Sequence, residues 1–347
     1  MIEIDGSLGE GGGQVLRTSL TLSIITRQAF RISNIRKKRS TPGLMPQHLK
    51  SVDAAAAISK AQVEGAKLYS TSLSFIPSES KSGRYKFKIG TAGATTLVLQ
   101  TVFLPLSLLD STSSVIITGG THVPWSPCFH YLSLQWMYFL KIIGFDLLLS
   151  LDLSGFFPQG GGKINATIKP AGIIQPLKLT QRGKLIRIMG ISGVANLPLE
   201  IAERQKRQAI LRLQKFFGSK LIPVRIKVEN LRAVTKGTFI LLLVEYEFGR
   251  GCFCSLGELG RRAERVADEA IDAIIDFIET DGVIDQYLAD QLMLPLSVGT
   301  SESIIKTSQI TQHILTNSEI IEMFLPTRIS IIGETGHPGS IHIIPMR

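Results

Sequence analysis

Residues 85–109 read YKFKIGTAGATTLVLQTVFLPLSLL. Residues 85–89 alternate in the manner of a strand, GTAGATT is a glycine-containing turn, and residues 97–109 form an apolar helix. Strand, turn and helix in immediate succession open an α/β unit. The same order occurs at the start of the chain. Residues 1–5 alternate, GSLGEGGG breaks the chain, and residues 14–27 place Val15, Leu16, Leu20, Ile24 and Ile25 at helical spacing.

Working outward, the first copy continues with a strand at 30–36, a loop holding Thr41, Pro42 and Gly43, a helix at 46–60 and a strand-like run at 68–76. The second continues with a strand at 115–118, a helix at 128–143 and strands at 146–152 and 163–168. A shorter third version has a helix at 284–297, a strand at 303–307 and a helix at 318–324. Residues 183–279 interrupt it with another texture: a strand at 185–191, a charged helix at 200–216, strands at 225–228 and 238–246, and a helix at 263–277. The expected fold class is α/β (α+β), with three repeated βαβαββ-type units of roughly 80 residues. They form one large domain from 1–182 and 280–347, and 183–279 form a smaller inserted α/β domain.

The chain has 347 residues, enough for about two domains with a proper core. A hydrophobic fraction of 44% excludes a disordered chain, and 32 glycines without a Gly-X-Y period exclude collagen. Three cysteines, Cys128, Cys252 and Cys254, make no disulfide framework and suit a reducing compartment as buried thiols. The first residues lack the basic and apolar regions of a signal peptide. The apolar stretch 123–153 contains Pro124, Pro127, Lys141 and Asp146, which rules it out as a membrane span. A soluble, cytoplasmic protein is expected.

Lys and Arg total 38 against 28 Asp and Glu, a net charge of +10, which favours an anionic partner. Cations cluster at Arg31, Arg36, Lys37, Lys38 and Arg39, and again at Arg204, Lys206, Arg207, Arg212 and Lys215. The second group lies on a helical pattern and reads as a solvated face.

GEGGGQ, residues 9–14, lies between a strand and a helix. Backbone N–H groups at a helix N-terminus bind phosphate, and glycines admit the ligand closely. The run is neither a Rossmann fingerprint nor a Walker motif, and a tight structural turn accounts for it equally. GFFPQGGGK, residues 155–163, reads as a turn between strands. Thr316 with Glu319 fits a capping box, which puts His313 just ahead of a helix N-terminus. A neutral imidazole there, facing a phosphate, is a nucleophile; the plain alternative is a hydrogen-bonded bystander. Tyr287, Asp290 and Gln291 share one helix face, suited to a purine or to ordinary amphipathic packing.

GEGGGQVLRTSLTLS, RSTPGLMPQHL, GGTHVPWSP, GFFPQGGG, LGELGRRAERVADEA, QYLADQLMLPL and QHILTNSEIIEMFLPTR together resemble the RNA 3'-terminal phosphate cyclase family, in order across nearly the whole chain. The resemblance implies three repeated units with an inserted domain. It also implies an ATP-dependent conversion of an RNA 3'-terminal phosphate to a 2',3'-cyclic phosphate through a histidine–AMP enzyme and an RNA(3')pp(5')A intermediate. Carried over by motif, His313 is the nucleophile. Gln100, Pro127, Tyr287, Leu288, Ala289, Asp290 and Gln291 line the ATP site, and Glu10 holds Mg²⁺ or Mn²⁺. Arg17, Arg39, Gln47 and His48 hold the RNA terminal phosphate. Lys37 and Lys38 depart from the small residues usual in the family. The expected partner is RNA with a 3'-terminal phosphate, with no membrane, and the protein is a monomer or homodimer. Two rivals are a non-catalytic RNA-binding cyclase-like protein of ribosome assembly, which lacks the histidine, and an enolpyruvyl-transferase-like enzyme of similar architecture.

Overall fold

The structure, a computed structural model, describes residues 1–346. Residue 347, the last of the expected large domain, lies outside the described residues.

Four mixed four-stranded sheets and their helices make up the chain. The first part runs β1 (Ile2–Asp5), α1 (Gln14–Thr26), β2 (Phe30–Ser33), α2 (Pro46–Ser59), β3 (Gln62–Glu64) and β4 (Leu73–Ile76). Its sheet has the order β1-β2-β4-β3, with β1 parallel to β2 and the other pairs antiparallel. The second runs β5 (Arg84–Lys88), α3 (Thr95–Ser107), β6 (Ser113–Gly119), α4 (Phe129–Tyr131), a π-helical turn (Leu132–Trp136), α5 (Met137–Ile142), β7 (Leu147–Leu153) and β8 (Gly162–Ile168). Its order is β5-β6-β8-β7, with the only parallel pair again first.

A two-residue strand, β9 (Lys178–Leu179), follows. The chain then builds β10 (Leu185–Ala195), α6 (Glu200–Phe217), β11 (Val224–Asn230), β12 (Gly237–Tyr246), β13 (Arg250–Leu256) and α7 (Ala263–Glu279), whose sheet has the order β11-β10-β12-β13. It returns through α8 (Gln286–Ser297), β14 (Ser303–Thr307), α9 (Gln312–Phe324), β15 (Thr327–Ile332) and β16 (Gly339–Pro345). β14 pairs in parallel with β9, laid down before the intervening segment, so this last sheet has the order β15-β16-β14-β9. Read from β9, that is the order and sense of the first two sheets.

The parallel pair in each of these three like-ordered sheets needs a crossover, and α1, α3 and α8 supply it. These helices are apolar beyond one stripe because they pack on each other as well as on sheets. In α3 twelve of thirteen residues are buried, and α1 contacts α2, α3 and α9. Ser19 is tolerated inside α1 because its hydroxyl donates to the Val15 carbonyl at 2.7 Å. The intervening sheet has a core of its own, with Ile240, Leu242 and Val244 of β12 under Ile271 and Ile274 of α7.

Some elements differ from expectation. The run at 68–76 is a strand only over Leu73–Ile76, because Gly65 at φ 81° and Tyr69 at φ 64° turn the chain before it. β3 and β9 are too short for periodicity to reveal. The cations of α6 are largely neutralised: Arg204 meets Glu264 through two hydrogen bonds of 2.7 Å, and Arg212 reaches Asp268 and Asp272 on α7. Cys128 and Cys252 are buried, Cys254 is partly buried, and all three are free. Among the described residues no helix is long and apolar enough to cross a membrane.

Candidate active site

The glycine turn ahead of α1 lets two other helices close on it. Gly9 and Gly11 take φ of 54° and 56°, which favours glycine. A Cβ on Gly9 would stand 2.0 Å from Thr316 Oγ1 of α9, and one on Gly13 would stand 2.2 Å from His48 Nε2 of α2. These glycines therefore serve close packing as well as any ligand.

α9 begins earlier than the capping pattern indicates. Thr311 is its N-cap and accepts from the Ile314 N–H at 3.3 Å. Thr316 lies within the helix, and its hydroxyl donates back to the Gln312 carbonyl at 2.7 Å. The expected Thr316–Glu319 box is thus corrected: His313 belongs to the first helical turn. Its side chain is about half-exposed, with Nε2 3.3 Å from Glu10 Oε2 and Nδ1 3.9 Å from Asp290 Oδ2. The same Glu10 oxygen takes an ion pair from Arg39 at 2.9 Å. Lys38 Nζ donates to the Gly9 carbonyl at 2.8 Å, which places a second cation on the turn. Arg36 donates to the carbonyls of Thr41 and Gly43 and pins the loop that carries both.

Asp290 joins this group from α8. Gln14 Nε2 donates to its Oδ1 at 2.7 Å and also to the His313 carbonyl at 3.2 Å. Asn317 Nδ2 donates to the same Oδ1, and Thr18 in turn donates to Asn317 Oδ1 at 2.8 Å. Burial holds the Asp290 carboxyl above its usual range, opposed by His313, Asn317, Gln14 and Arg17. Arg17 is desolvated enough to bring its pKa down to about 10, so it remains a cation.

His48 is buried beside Arg17. Desolvation, then Arg17 and Arg36, lower its pKa to about 3, so it is a neutral imidazole whose Nδ1 accepts from the Met45 N–H at 3.2 Å. Gln47 accepts from the Ala94 N–H at 3.1 Å, which ties α2 to the turn after β5. The remaining expected residues form a second group. Gln100 donates to Gln291 at 2.8 Å, and the Pro127 carbonyl accepts from Thr96, one helical turn before Gln100. Tyr287 is half-exposed over Phe253 of β13 and makes no hydrogen bond to Asp290 or Gln291 among the described residues. Leu288 and Ala289 are fully buried, so their side chains support α8 rather than face a ligand.

Between the turn and α9 lies a narrow cleft of ≈ 10 Å³ lined by Glu10, Gly12, Gln14, His313 and Thr316 among others. It has room for about one water. Anything larger would have to sit over its mouth, where the half-exposed His313, Glu10 and Arg39 stand. Among the described residues no three His, Cys, Asp or Glu side chains converge as a metal site. Glu10 alone fits a divalent cation only in the manner of Mg²⁺, which uses one or two carboxylates and takes the rest from phosphate and water.

Gln14 and Asn317 were not singled out from the sequence, although both lie inside quoted motifs. Their signal is the long-range bond to Asp290, which a linear reading does not contain. Lys38 stands out in the sequence as part of the cation cluster at 31–39 and as a departure from the family.

A histidine nitrogen at a helix N-terminus, facing a glycine turn ringed by three cations, defines an α/β protein that handles phosphate groups. The sequence model of the RNA 3'-terminal phosphate cyclase family matches residues 8–331. Proteins named RNA 3'-terminal phosphate cyclase are similar throughout. That of Staphylothermus marinus is 41% identical over 351 residues, covering 99% of this chain and 98% of that protein. That of Thermococcus gammatolerans is 38% identical over 343 residues, covering 99% and 98%, and that of Gloeothece citriformis 39% over 331, covering 93% of each. The chain belongs to the RNA 3'-terminal phosphate cyclase family. A solved enolpyruvyl transferase, NikO of Streptomyces tendae, aligns with all of this chain and 83% of that one at 7% identity and a TM-score of 0.23, which carries no argument.

Proposed function

We propose that the protein converts an RNA 3'-terminal phosphate to a 2',3'-cyclic phosphate at the expense of ATP, with His313 as the covalent nucleophile. The observation that carries this reading is the opening of His313 Nε2 onto the glycine turn beside Glu10 and Arg39.

The His313 nitrogen lone pair forms a bond to the α-phosphorus of ATP, and the bond to the bridging oxygen breaks with release of pyrophosphate. An oxygen of the RNA 3'-phosphate then displaces the imidazole, giving RNA(3')pp(5')A. The neighbouring 2'-OH attacks the RNA phosphorus, loses its proton and expels AMP. Charge accumulates on phosphoryl oxygens at each step, so Arg17, Arg39 and Lys38 stabilise the transition states electrostatically. Asp290, held by Gln14 and Asn317, anchors the turn against α8 and α9 and thereby fixes the direction of His313. Glu10 would hold Mg²⁺ or Mn²⁺; a bound cation supplies neutralisation of phosphate charge. Gln100, Gln291, Pro127 and Tyr287 form the surface offered to the adenine, and Arg17, Arg39 and Gln47 that offered to the RNA phosphate, with His48 buried beside Arg17.

The three like-ordered sheets support three repeats of one βαβαββ unit, with residues 183–279 as an inserted domain between 1–182 and 280–347. Free thiols fit a cytoplasmic setting. The test is intact mass after incubation with ATP and Mg²⁺, beside His313→Ala. The expected result is one acid-labile AMP on the parent, absent from the variant and discharged by RNA 3'-phosphate. No adduct in folded, ATP-binding protein across several metals would overturn the mechanism in favour of a non-catalytic RNA-binding member of the family.

A further inference from the structure

One face of the second sheet, β5-β6-β8-β7, is open. Its other face turns Val115, Ile117, Ile164 and Ala166 into the core under α3. On the open face the pleat sets Arg84, Lys86 and Lys88 of β5 in a row, since alternate residues of a strand share one side. In register with them stand Ser114, Ile116 and Thr118 of β6, and Thr118 is opposite Lys163 of β8. Lys86, Phe87, Lys88, Ile116, Thr118 and Lys163 line a shallow groove of ≈ 280 Å³.

The charges of this face are largely uncompensated. Arg84, Lys86 and Lys88 are exposed and take part in no ion pair among the described residues, in contrast to the paired cations of α6. Lys163 is held at 2.8 Å by Asp152 and stays 40% exposed. The row steps by about 7 Å between successive cations, comparable to the run of phosphates along an extended strand. No aromatic side chain stands on this side of β5: Tyr85 and Phe87 stack on each other on its opposite side. The face is therefore equipped to follow a sugar–phosphate backbone and not to read bases.

The row also points at the site. β5 ends at Lys88, and the turn that follows reaches α2, where the Ala94 N–H donates to Gln47 and a Cβ on Gly93 would lie 2.9 Å from that of Gln47. Lys88 is thus the cation of the row nearest to Gln47, and Arg84 the farthest.

We propose that the open face of β5-β6-β8-β7 is a platform for the single-stranded RNA segment that precedes the terminal phosphate, with Lys88, Lys86 and Arg84 contacting successive backbone phosphates away from the active site. The placement of the RNA end rests on the cyclase reading; the platform itself is tested by binding.

The experiment compares the parent with the triple variant Arg84→Ala/Lys86→Ala/Lys88→Ala. An equal-charge control, Lys184→Ala/Lys215→Ala/Lys220→Ala, alters exposed positions of the intervening segment. Binding of a labelled twelve-nucleotide RNA is measured by anisotropy over a range of salt, and cyclisation kinetics are measured for that RNA and for a dinucleotide, both with 3'-phosphates. The expected result for the triple variant is about tenfold or more weaker binding and a salt slope lower by about 2, the loss of three phosphate contacts on a single strand. KM rises for the long RNA only, AMP loading of His313 is unchanged, and the control behaves as the parent. RNA binding lost in this way from a parent that cyclises nothing supports the platform and removes the enzymatic reading instead. Equal effects on both lengths, an equal loss in the control, or unchanged binding overturns the platform. So does altered self-association with RNA binding intact, which assigns the face to a second copy.

Discussion

His313 Nε2 and Glu10 Oε2 stand 3.3 Å apart, and the same carboxylate oxygen pairs with Arg39 at 2.9 Å. Two elements far apart in sequence, the glycine turn and the first turn of α9, are thereby brought to one point. A phosphorus approaching Nε2 must share this point with the carboxylate. A bare negative charge there repels a triphosphate, whereas a carboxylate bridged through a cation attracts it. Glu10→Gln retains the shape and removes the charge. The expected outcome is a fall of about 10²-fold in the rate of AMP loading, with much weaker dependence on metal concentration, measured by quenched mass spectrometry. Loading at the parent rate and with the parent's metal dependence would remove Glu10 from any metal role.

Asn317 carries a different load. It accepts from Thr18 and donates to Asp290, so its removal leaves a buried hydroxyl and a partly buried carboxylate short of partners. Asn317→Ala is expected to cost about 1–3 kcal/mol of stability, the penalty for such orphaned groups, and to slow AMP loading because His313 shares the helix. Urea unfolding and loading kinetics on one preparation check both. An unchanged unfolding midpoint would mean that water replaces the amide without loss.

How much of this was legible in the sequence depends on how local each feature is. The turn at 6–13, the helix after it and the strand–turn–helix at 85–109 announce themselves by glycine and periodicity, and they hold in the structure. β9 escapes because two residues carry no period; its partner β14 lies more than a hundred positions away, past the intervening segment. The start of α9 misleads because Thr316 offers the same hydroxyl to a helix interior as to a cap. Asp290 and His313 sit in recognisable motifs, but Gln14 and Asn317 acquire meaning only when three helices meet. Leu288 and Ala289 fall in the same motif as Asp290, yet helical geometry turns them into the core.

Asp285 ties three parts of the chain together. Fully buried, it caps α8 by accepting from the N–H groups of Tyr287 and Leu288, and it also accepts from Tyr131 Oη at 2.7 Å, Gln135 Nε2 at 2.9 Å and the Cys252 N–H at 3.2 Å. The π-helical turn is what brings Gln135 to it. Asp285→Ala should destabilise by about 3–5 kcal/mol, since it strands the buried Tyr131 hydroxyl, the Gln135 amide and the Cys252 N–H, each at about 1–3 kcal/mol, and Tyr131→Phe by about 1–2 kcal/mol. A double-mutant cycle in urea is expected to show strong coupling between the two. Simple additivity would argue against the shared hydrogen bond.

Acid should weaken the fold through its buried histidines. His48 is lowered to about 3 by burial and by Arg17 and Arg36, and His130 to about 4 by burial. His122, fully buried, is also lowered well below the usual range by burial and by His130, whose Nδ1 is 2.8 Å from its Nε2. In the unfolded chain these imidazoles take up protons near pH 6.5. Between that value and their folded pKa values the unfolded state holds more protons, so stability rises with pH there and falls as pH drops. Each histidine adds a slope of up to about 1.4 kcal/mol per pH unit, and together they account for several kcal/mol by pH 4.5. Urea midpoints measured from pH 7.5 to 4.5 should fall steeply below about 6.5. His48→Gln, which titrates nowhere in this range, should lower the slope by one proton. Its curve should therefore converge on the parent's as the pH falls. Parallel curves would show that His48 takes up its proton at the same pH in the folded and unfolded chains, and that burial beside Arg17 does not hold it neutral.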